Sequence, residues 1–171
     1  MDLKKHVRDI NDFPIPGILF RDITTVLKDP AALQASVDAM CNLLGDIEFD
    51  TVLGPESRGF IFGMPMAYKL GKGFVPVRKV GKLPAEVIAR EYALEYGTAT
   101  IEVHKDAIIP GHKYVIADDL LATGGTARAT ADLVTEMGGE VVAALFFIEL
   151  ADLKGRDVLK GYNVQSVLSY S

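Results

Sequence analysis

The stretch VIADDLLATGGTARA, residues 115–129, sets two carboxylates, Asp118 and Asp119, just ahead of the turn Ala122-Thr123-Gly124-Gly125-Thr126. Gly124 and Gly125 permit backbone angles closed to other residues, so successive N–H groups can converge on one anion, and Thr123 and Thr126 add hydroxyl donors. A helix starting here contributes partial positive charge from its N-terminus. The same residues also suit a plain strand-to-helix loop with a threonine N-cap. The acids narrow the choice. A carboxylate beside a phosphate is repelled unless it has a partner, and the useful partners are sugar hydroxyls, which donate hydrogen bonds, or Mg2+. A phosphate with a vicinal diol next to it satisfies both halves, and that describes ribose 5-phosphate. The plain alternative is that one of the acids caps a turn.

Two other phosphate motifs are excluded. The glycines do not fit the dinucleotide pattern G-x-G-x-x-G, and no G-x-x-x-x-G-K-[ST] occurs in the chain. Neither a nicotinamide enzyme nor a P-loop ATPase is supported.

The elements that must position this stretch follow from periodicity. Leu33, Val37, Met40, Cys41 and Leu44 fall near helical spacing over 31–44, with Lys28-Asp29-Pro30 as a start signal. Residues 51–53 read as a short strand, and the chain from Ser57 enters a second helix ending near Leu70, in which Pro65 weakens the pattern or delays the start. Residues 74–77 and 114–117 read as further strands, the latter launched from Pro110-Gly111. Ala129, Leu133, Val134 and Met137 then share one helix face up to Gly138-Gly139, and 141–148 is a strongly apolar strand. This alternation predicts an α/β fold with a mainly parallel sheet flanked by helices on both faces, in which ligands gather at the carboxyl ends of the strands. Residues 79–109 are charged and weakly periodic, a long excursion with room for a hairpin and the character of a lid or binding loop.

At 171 residues the chain is expected to be one domain spanning 1–171. Cys41 is its one cysteine, which excludes an internal disulfide, and the three histidines lack metal-site spacing. The longest apolar run, 141–148, is too short to span a bilayer. The opening MDLKKHVRDINDFPIPG has cations without the apolar segment of a secretory signal, so a cytoplasmic protein with no membrane partner is expected. A net charge of −5 argues against a general nucleic-acid binder. It leaves room for a small anionic substrate, because screening over about 8 Å makes the local field decisive.

DDLLATGGTARA closely resembles the phosphoribosyl-diphosphate (PRPP) signature of type I phosphoribosyltransferases. FPIPGILFRDITTVLKDP, SRGF, RKVGKLP, LEYG and ELADLKGR, spread from Phe13 to Arg156, are similar to the members of that family that act on adenine. The resemblance implies a Rossmann-like type I phosphoribosyltransferase fold with a small N-terminal hood, 1–30, that recognises the base, and a flexible catalytic loop region, 79–109. It implies transfer of the 5-phosphoribosyl group of PRPP to adenine with Mg2+ carried mainly by PRPP, no metal site of the protein's own, and a homodimer. The rivals are transfer to a 6-oxopurine or orotate, and a PRPP-sensing regulator without catalysis, for which the chain has neither basic surface charge nor spare length.

PRPP carries a pyrophosphate leaving group, which calls for a second anion site. Ser57-Arg58-Gly59 supplies a guanidinium at a flexible turn; from the residues alone Arg58 reads as a surface charge, and it is the resemblance that places pyrophosphate there, on a loop with an unusual peptide bond at Glu56-Ser57. Arg78, Lys79 and Lys82 form a local cluster of cations. A solvated face is the ordinary reading of such a run, and the resemblance assigns the cluster to pyrophosphate, one cation coming from a partner subunit. It also implies that Glu95 exchanges a proton with the N7 region of the purine, that Tyr96 closes over the site, that Phe20 stacks on the base, and that main-chain groups of Leu19 and Arg21 read its edge. Without the resemblance, Glu95 and Tyr96 read as a hairpin tip and Phe20 as a core residue. Asp118, Asp119, Arg58 and Glu95 are thus the expected catalytic residues, and 122–126 the expected 5-phosphate turn.

Overall fold

The computed structural model describes residues 1–94 and 96–171. The chain divides into two compact units, Met1–Ala39 and Met40–Ser171.

In the first unit, β1 (Arg8–Ile10) pairs antiparallel with β2 (Phe20–Asp22). Each strand has only three residues, too few for an alternating pattern to stand out in sequence. Charge holds the pair in register: Arg8 lies opposite Asp22 and forms an ion pair with it, and Asp9 does the same with Arg21. The short helix α1 (Thr24–Leu27) follows, with Val26 fully buried. The helix α2 (Pro30–Asn42) starts where Lys28-Asp29-Pro30 predicts, because the Asp29 carboxylate accepts the N–H groups of Ala31 and Ala32, both at 2.9 Å, and Pro30 needs no acceptor at the first helical position.

The second unit is built on a seven-stranded sheet. β3 (Thr51–Pro55), β4 (Gly73–Lys79), β7 (Lys113–Leu121), β8 (Glu140–Leu150) and β9 (Val164–Tyr170) run parallel, and the hairpin β5 (Val87–Ala93) and β6 (Thr98–His104) extends one edge. The spatial order is β5-β6-β4-β3-β7-β8-β9. The predicted excursion 79–109 is therefore largely sheet, with β6 joining β4 antiparallel at Arg78↔Glu102 and Lys79↔Ile101. The strand β9 was not anticipated. It lies at the sheet edge and is only partly buried along most of its length, so it lacks the apolar run that marks β8.

Two helices cover opposite faces. Phe146 packs in the cluster with Ala129, Leu133 and Val134 of α4 (Gly125–Glu136), whereas its neighbour Phe147 stacks on Phe62 of α3 (Arg58–Leu70), with ring centroids 4.9 Å apart. This two-sided burial explains the unbroken apolar run of β8. Pro65 neither delays nor breaks α3, which runs from Arg58 through it. Proline forfeits one helical hydrogen bond, and burial of Phe62, Met66 and Ala67 around it offsets that loss.

Candidate active site

The strand β7 extends through Asp118 and Asp119 to Leu121, further than the expected end at Ala117, and this places both acids on a rigid element. Asp119 is 7% exposed, and its Oδ2 lies 2.9 Å from Arg58 Nε at the start of α3. Asp118 is only partly covered at the surface of the cleft but lies deep among protein atoms, and its Oδ1 accepts the Asp119 N–H at 2.8 Å. Burial, and then the negative charge of Asp119, push the Asp118 carboxyl well above the usual carboxylate range. Helix α3 begins so close that a Cβ on Gly59 would lie 2.9 Å from Asp118 Oδ1. The two acids thus differ: one is compensated by a guanidinium, the other is held toward its neutral form until something compensates it.

The turn that follows lines a solvent-open cleft whose walls include Asp118, residues 120–127, Phe146, and Tyr92, Ala93 and Leu94 at the end of β5. The N-cap of α4 is Gly124, at φ 85°, and no side chain caps the helix. The threonine-cap alternative therefore does not hold, and the helix presents its first N–H groups to the cleft. Backbone packs against the turn from behind. A Cβ on Gly124 would lie 2.7 Å from Gly155 O, and one on Gly155 would lie 2.5 Å from Ala122 O. Ala122, Thr123, Gly124, Gly125 and Thr126 all line the cleft.

Two of the predicted cations, Arg78 and Lys82, and the main chain of the third, Lys79, meet at a residue that sequence reasoning assigned no role. Glu56 Oε1 accepts the Lys79 N–H at 2.6 Å and lies 3.5 Å from Arg78 Nε, while Oε2 lies 3.4 Å from Lys82 Nζ. Burial works to raise the pKa of this carboxyl, but the Lys79 N–H and the charges of Lys82 and Arg78 together hold it below the usual range. Arg78 Nε is shut off from solvent and makes no hydrogen bond. The Glu56-Ser57 peptide is cis, at the position where the resemblance implied an unusual bond, and Ser57 is exposed beside Arg58. Pro55 closes β3 with its ring packed toward Gly59, and the last bond of the strand is made instead by Glu56, whose N–H donates to Val77 O at 2.8 Å.

The residues expected at the base lie in the first unit. Phe20 is partly buried on β2, with Phe13 edge-on to it at 5.1 Å between centroids. Leu19 is exposed, and the Arg21 side chain is taken up by Asp9. Tyr96 stands at the tip of the β5–β6 hairpin, 87% exposed. Glu95 lies outside the described residues.

The site has a further support in Glu149 and Arg156, within the motif ELADLKGR. Arg156 donates through Nε and Nη2 to the two Glu149 oxygens, each at 2.7 Å, and through Nη1 to Val164 O at 2.6 Å, while Ser166 Oγ donates to Glu149 at 2.8 Å. The guanidinium holds the Glu149 carboxyl below its usual range, and the carboxylate raises the pKa of Arg156. The clamp fixes the segment that places Gly155 against the turn 122–126. An acid and an arginine seven residues apart across a turn were the signal for it, legible only with the strand ends known.

No group of three or more His, Cys, Asp or Glu side chains placed to hold a metal occurs among the described residues, and no described helix is long and apolar enough to cross a membrane.

The sequence pattern defining the phosphoribosyl transferase domain matches residues 22–168. An adenine phosphoribosyltransferase of Lachnoclostridium phytofermentans is 57% identical over 169 residues, covering 99% of this chain and 97% of the relative. The crystal structure of an adenine phosphoribosyltransferase from Thermoanaerobacter pseudethanolicus superposes with a TM-score of 0.96 at 51% identity, covering 99% of this chain and 98% of that one. The Saccharomyces cerevisiae adenine phosphoribosyltransferase, solved with adenine and an imino-altritol bisphosphate, superposes at 0.92 with 39% identity over 98% of this chain and 97% of its own. The chain belongs to the type I phosphoribosyltransferase family, among the adenine phosphoribosyltransferases.

Proposed function

We infer that the chain transfers the 5-phosphoribosyl group of PRPP to adenine, giving AMP and pyrophosphate. The observation that carries this reading is the turn at the end of β7, where two acids of unlike environment precede an uncapped helix N-terminus, in a chain similar over nearly its full length to adenine phosphoribosyltransferases. The turn 122–126 holds the 5-phosphate. Asp118 and Asp119 hold the ribose diol, and their negative field favours the cationic anomeric carbon as its bond to the pyrophosphate oxygen breaks and its bond to the base forms. Ser57, Arg58, Arg78, Lys79 and Lys82 take up the charge of the leaving group.

In the base segment, Phe20 stacks on adenine while the main chain of Leu19 and Arg21 reads its edge. Glu95 exchanges the proton near N7, and Tyr96 and the hairpin tip close over the reactants, excluding the water that would hydrolyse PRPP. Mg2+ is a hard cation that seeks oxygen ligands in octahedral geometry. Asp118 and Asp119 are the carboxylates near the turn, and Asp119 is already engaged by Arg58. This donor set fits an ion whose ligands come mainly from the diphosphate and water. When bound, the ion adds charge neutralisation at the leaving group. A homodimer and a cytoplasmic location complete the reading.

The test is nucleotide formation from PRPP and Mg2+ with adenine, hypoxanthine, guanine and orotate in parallel. AMP from adenine alone is expected. Comparable turnover with a 6-oxopurine or orotate overturns the assignment of the base, and no turnover with any base overturns the enzyme.

A further inference from the structure

We propose that Tyr92 is a positioning residue for the 5-phosphate turn, its hydroxyl donating to Thr126 Oγ1 and thereby directing the Thr126 proton at the phosphate. The inference rests on the reading of 122–126 as the phosphate turn. Tyr92 lies on β5, remote in sequence, yet its hydroxyl stands 3.0 Å from Thr126 Oγ1, and it walls the cleft that the turn lines.

A second observation concerns Gly125. Its φ is not among the positive ones, so backbone conformation does not demand glycine there. Space bears on it instead: a Cβ at this position would lie 3.2 Å from Tyr92 Cδ2, a tight approach that the ring would have to relieve by a few tenths of an ångström. The ring and the turn are fitted to each other. A third lies two residues back along the strand, on the same face, where Arg90 reaches Asp132 and Glu136 of α4, each at 3.3 Å. β5 is therefore fastened to α4 at both points, and the tyrosine hydroxyl is held at the head of the helix.

The direction of the bond follows from donor and acceptor counts. A phosphate oxygen only accepts, so with phosphate bound the single Thr126 proton points to the phosphate, and the Thr126 oxygen is left as an acceptor. Tyr92 O–H is the donor that satisfies it, and a chain of two hydrogen bonds running toward an anion strengthens both. The 5-phosphate does not react, so the interaction is made equally in ground and transition states and acts on binding rather than turnover.

The experiment compares Tyr92→Phe, which keeps the ring, with Thr126→Val, which keeps the shape, and with the double variant. Tyr92→Phe is expected to raise the KM for PRPP by about five- to tenfold, with kcat within about twofold and the KM for adenine unchanged. The double variant should equal Thr126→Val alone, because Tyr92 acts through Thr126. Calorimetric affinity for ribose 5-phosphate should fall in the same ratios, independently of turnover. If Thr126→Val weakens ribose 5-phosphate binding while Tyr92→Phe does not, or if the two effects multiply, Tyr92 is not the positioning residue. If Thr126→Val leaves that affinity unchanged, the phosphate turn itself is misassigned and the proposal fails with it.

Discussion

Arg58 Nε lies 2.9 Å from Asp119 Oδ2, so a cation at the start of α3 and an acid at the end of β7 compensate each other. Arg58 is about half exposed, so its guanidinium can swing to another partner or to water without becoming a buried lone cation. Such a pair is easily exchanged. On the proposed reading, a diphosphate arriving beside Ser57 would draw off the guanidinium, and the ribose diol would give Asp119 two donors in its place. Each charge keeps a partner throughout, and neither waits in the site uncompensated.

Asp119→Ala should therefore remove a contact to the developing positive charge without unfolding the protein, since the arginine it abandons can turn to solvent. A loss of about 10²- to 10³-fold in kcat for AMP formation is expected, with the thermal midpoint close to wild type. Near-normal turnover in a steady-state assay removes the ribose assignment.

Asp118→Asn should separate function from stability. The carboxyl of Asp118 is raised above its unfolded value by burial and by Asp119. A raised acid costs stability as pH climbs above its unfolded pKa, because the unfolded chain releases the proton more readily than the folded one. Asparagine removes that cost while its side-chain oxygen still accepts the Asp119 N–H. The variant should melt at a higher temperature than wild type at pH 7 to 8, with the gain vanishing near about pH 4, while its turnover falls. Thermal midpoints across that range check it, and a midpoint lowered at every pH refutes it.

The part of the site that was legible in sequence is the part built from neighbouring residues. Between Asp118 and Thr126 a strand end, two acids and a turn follow one another along the chain, so local chemistry and local structure coincide. The cation cluster was visible as a run of charge, but its centre, Glu56, belongs to a different strand end, and one of its contacts is a backbone N–H that no residue type announces. Tyr92 is paired with Thr126 only because the excursion folds back as a hairpin, a contact between residues 34 apart in sequence that no local pattern announces. The fold was readable where burial is two-sided, as in β8, and unreadable at the edge, as in β9. The proposed main-chain recognition of the base would leave no side-chain pattern, and adenine came from resemblance alone.

Glu56→Gln tests whether that carboxylate competes with the leaving group. The amide oxygen can still accept the Lys79 N–H, so the loop keeps its geometry while Arg78 and Lys82 lose a resident anion. Product inhibition by pyrophosphate should tighten several-fold, by about the strength of one partly exposed ion pair. Because the wild-type pKa is held low, the two proteins should converge only in acid, below about pH 4. Weaker pyrophosphate binding would show instead that Glu56 orders the cations for the ligand.

Glu149→Gln probes the support behind the turn. The folded pKa of Glu149 lies below its unfolded value, so the stability it contributes is present above the unfolded pKa and is lost as pH falls through the folded one. The glutamate side chain is 10% exposed and its partner Arg156 46%. Removing one member of a fully buried pair costs about 3–5 kcal/mol, and solvent at the arginine reduces the expectation here to about 2 kcal/mol at pH 7. Glutamine also withdraws one acceptor from a guanidinium that positions Gly155 against Ala122. The KM for PRPP should therefore rise together with the fall in thermal midpoint, and both differences from wild type should shrink as the pH drops below about 4. A midpoint that falls with PRPP affinity unchanged would confine the clamp to the sheet edge and detach it from the phosphate turn.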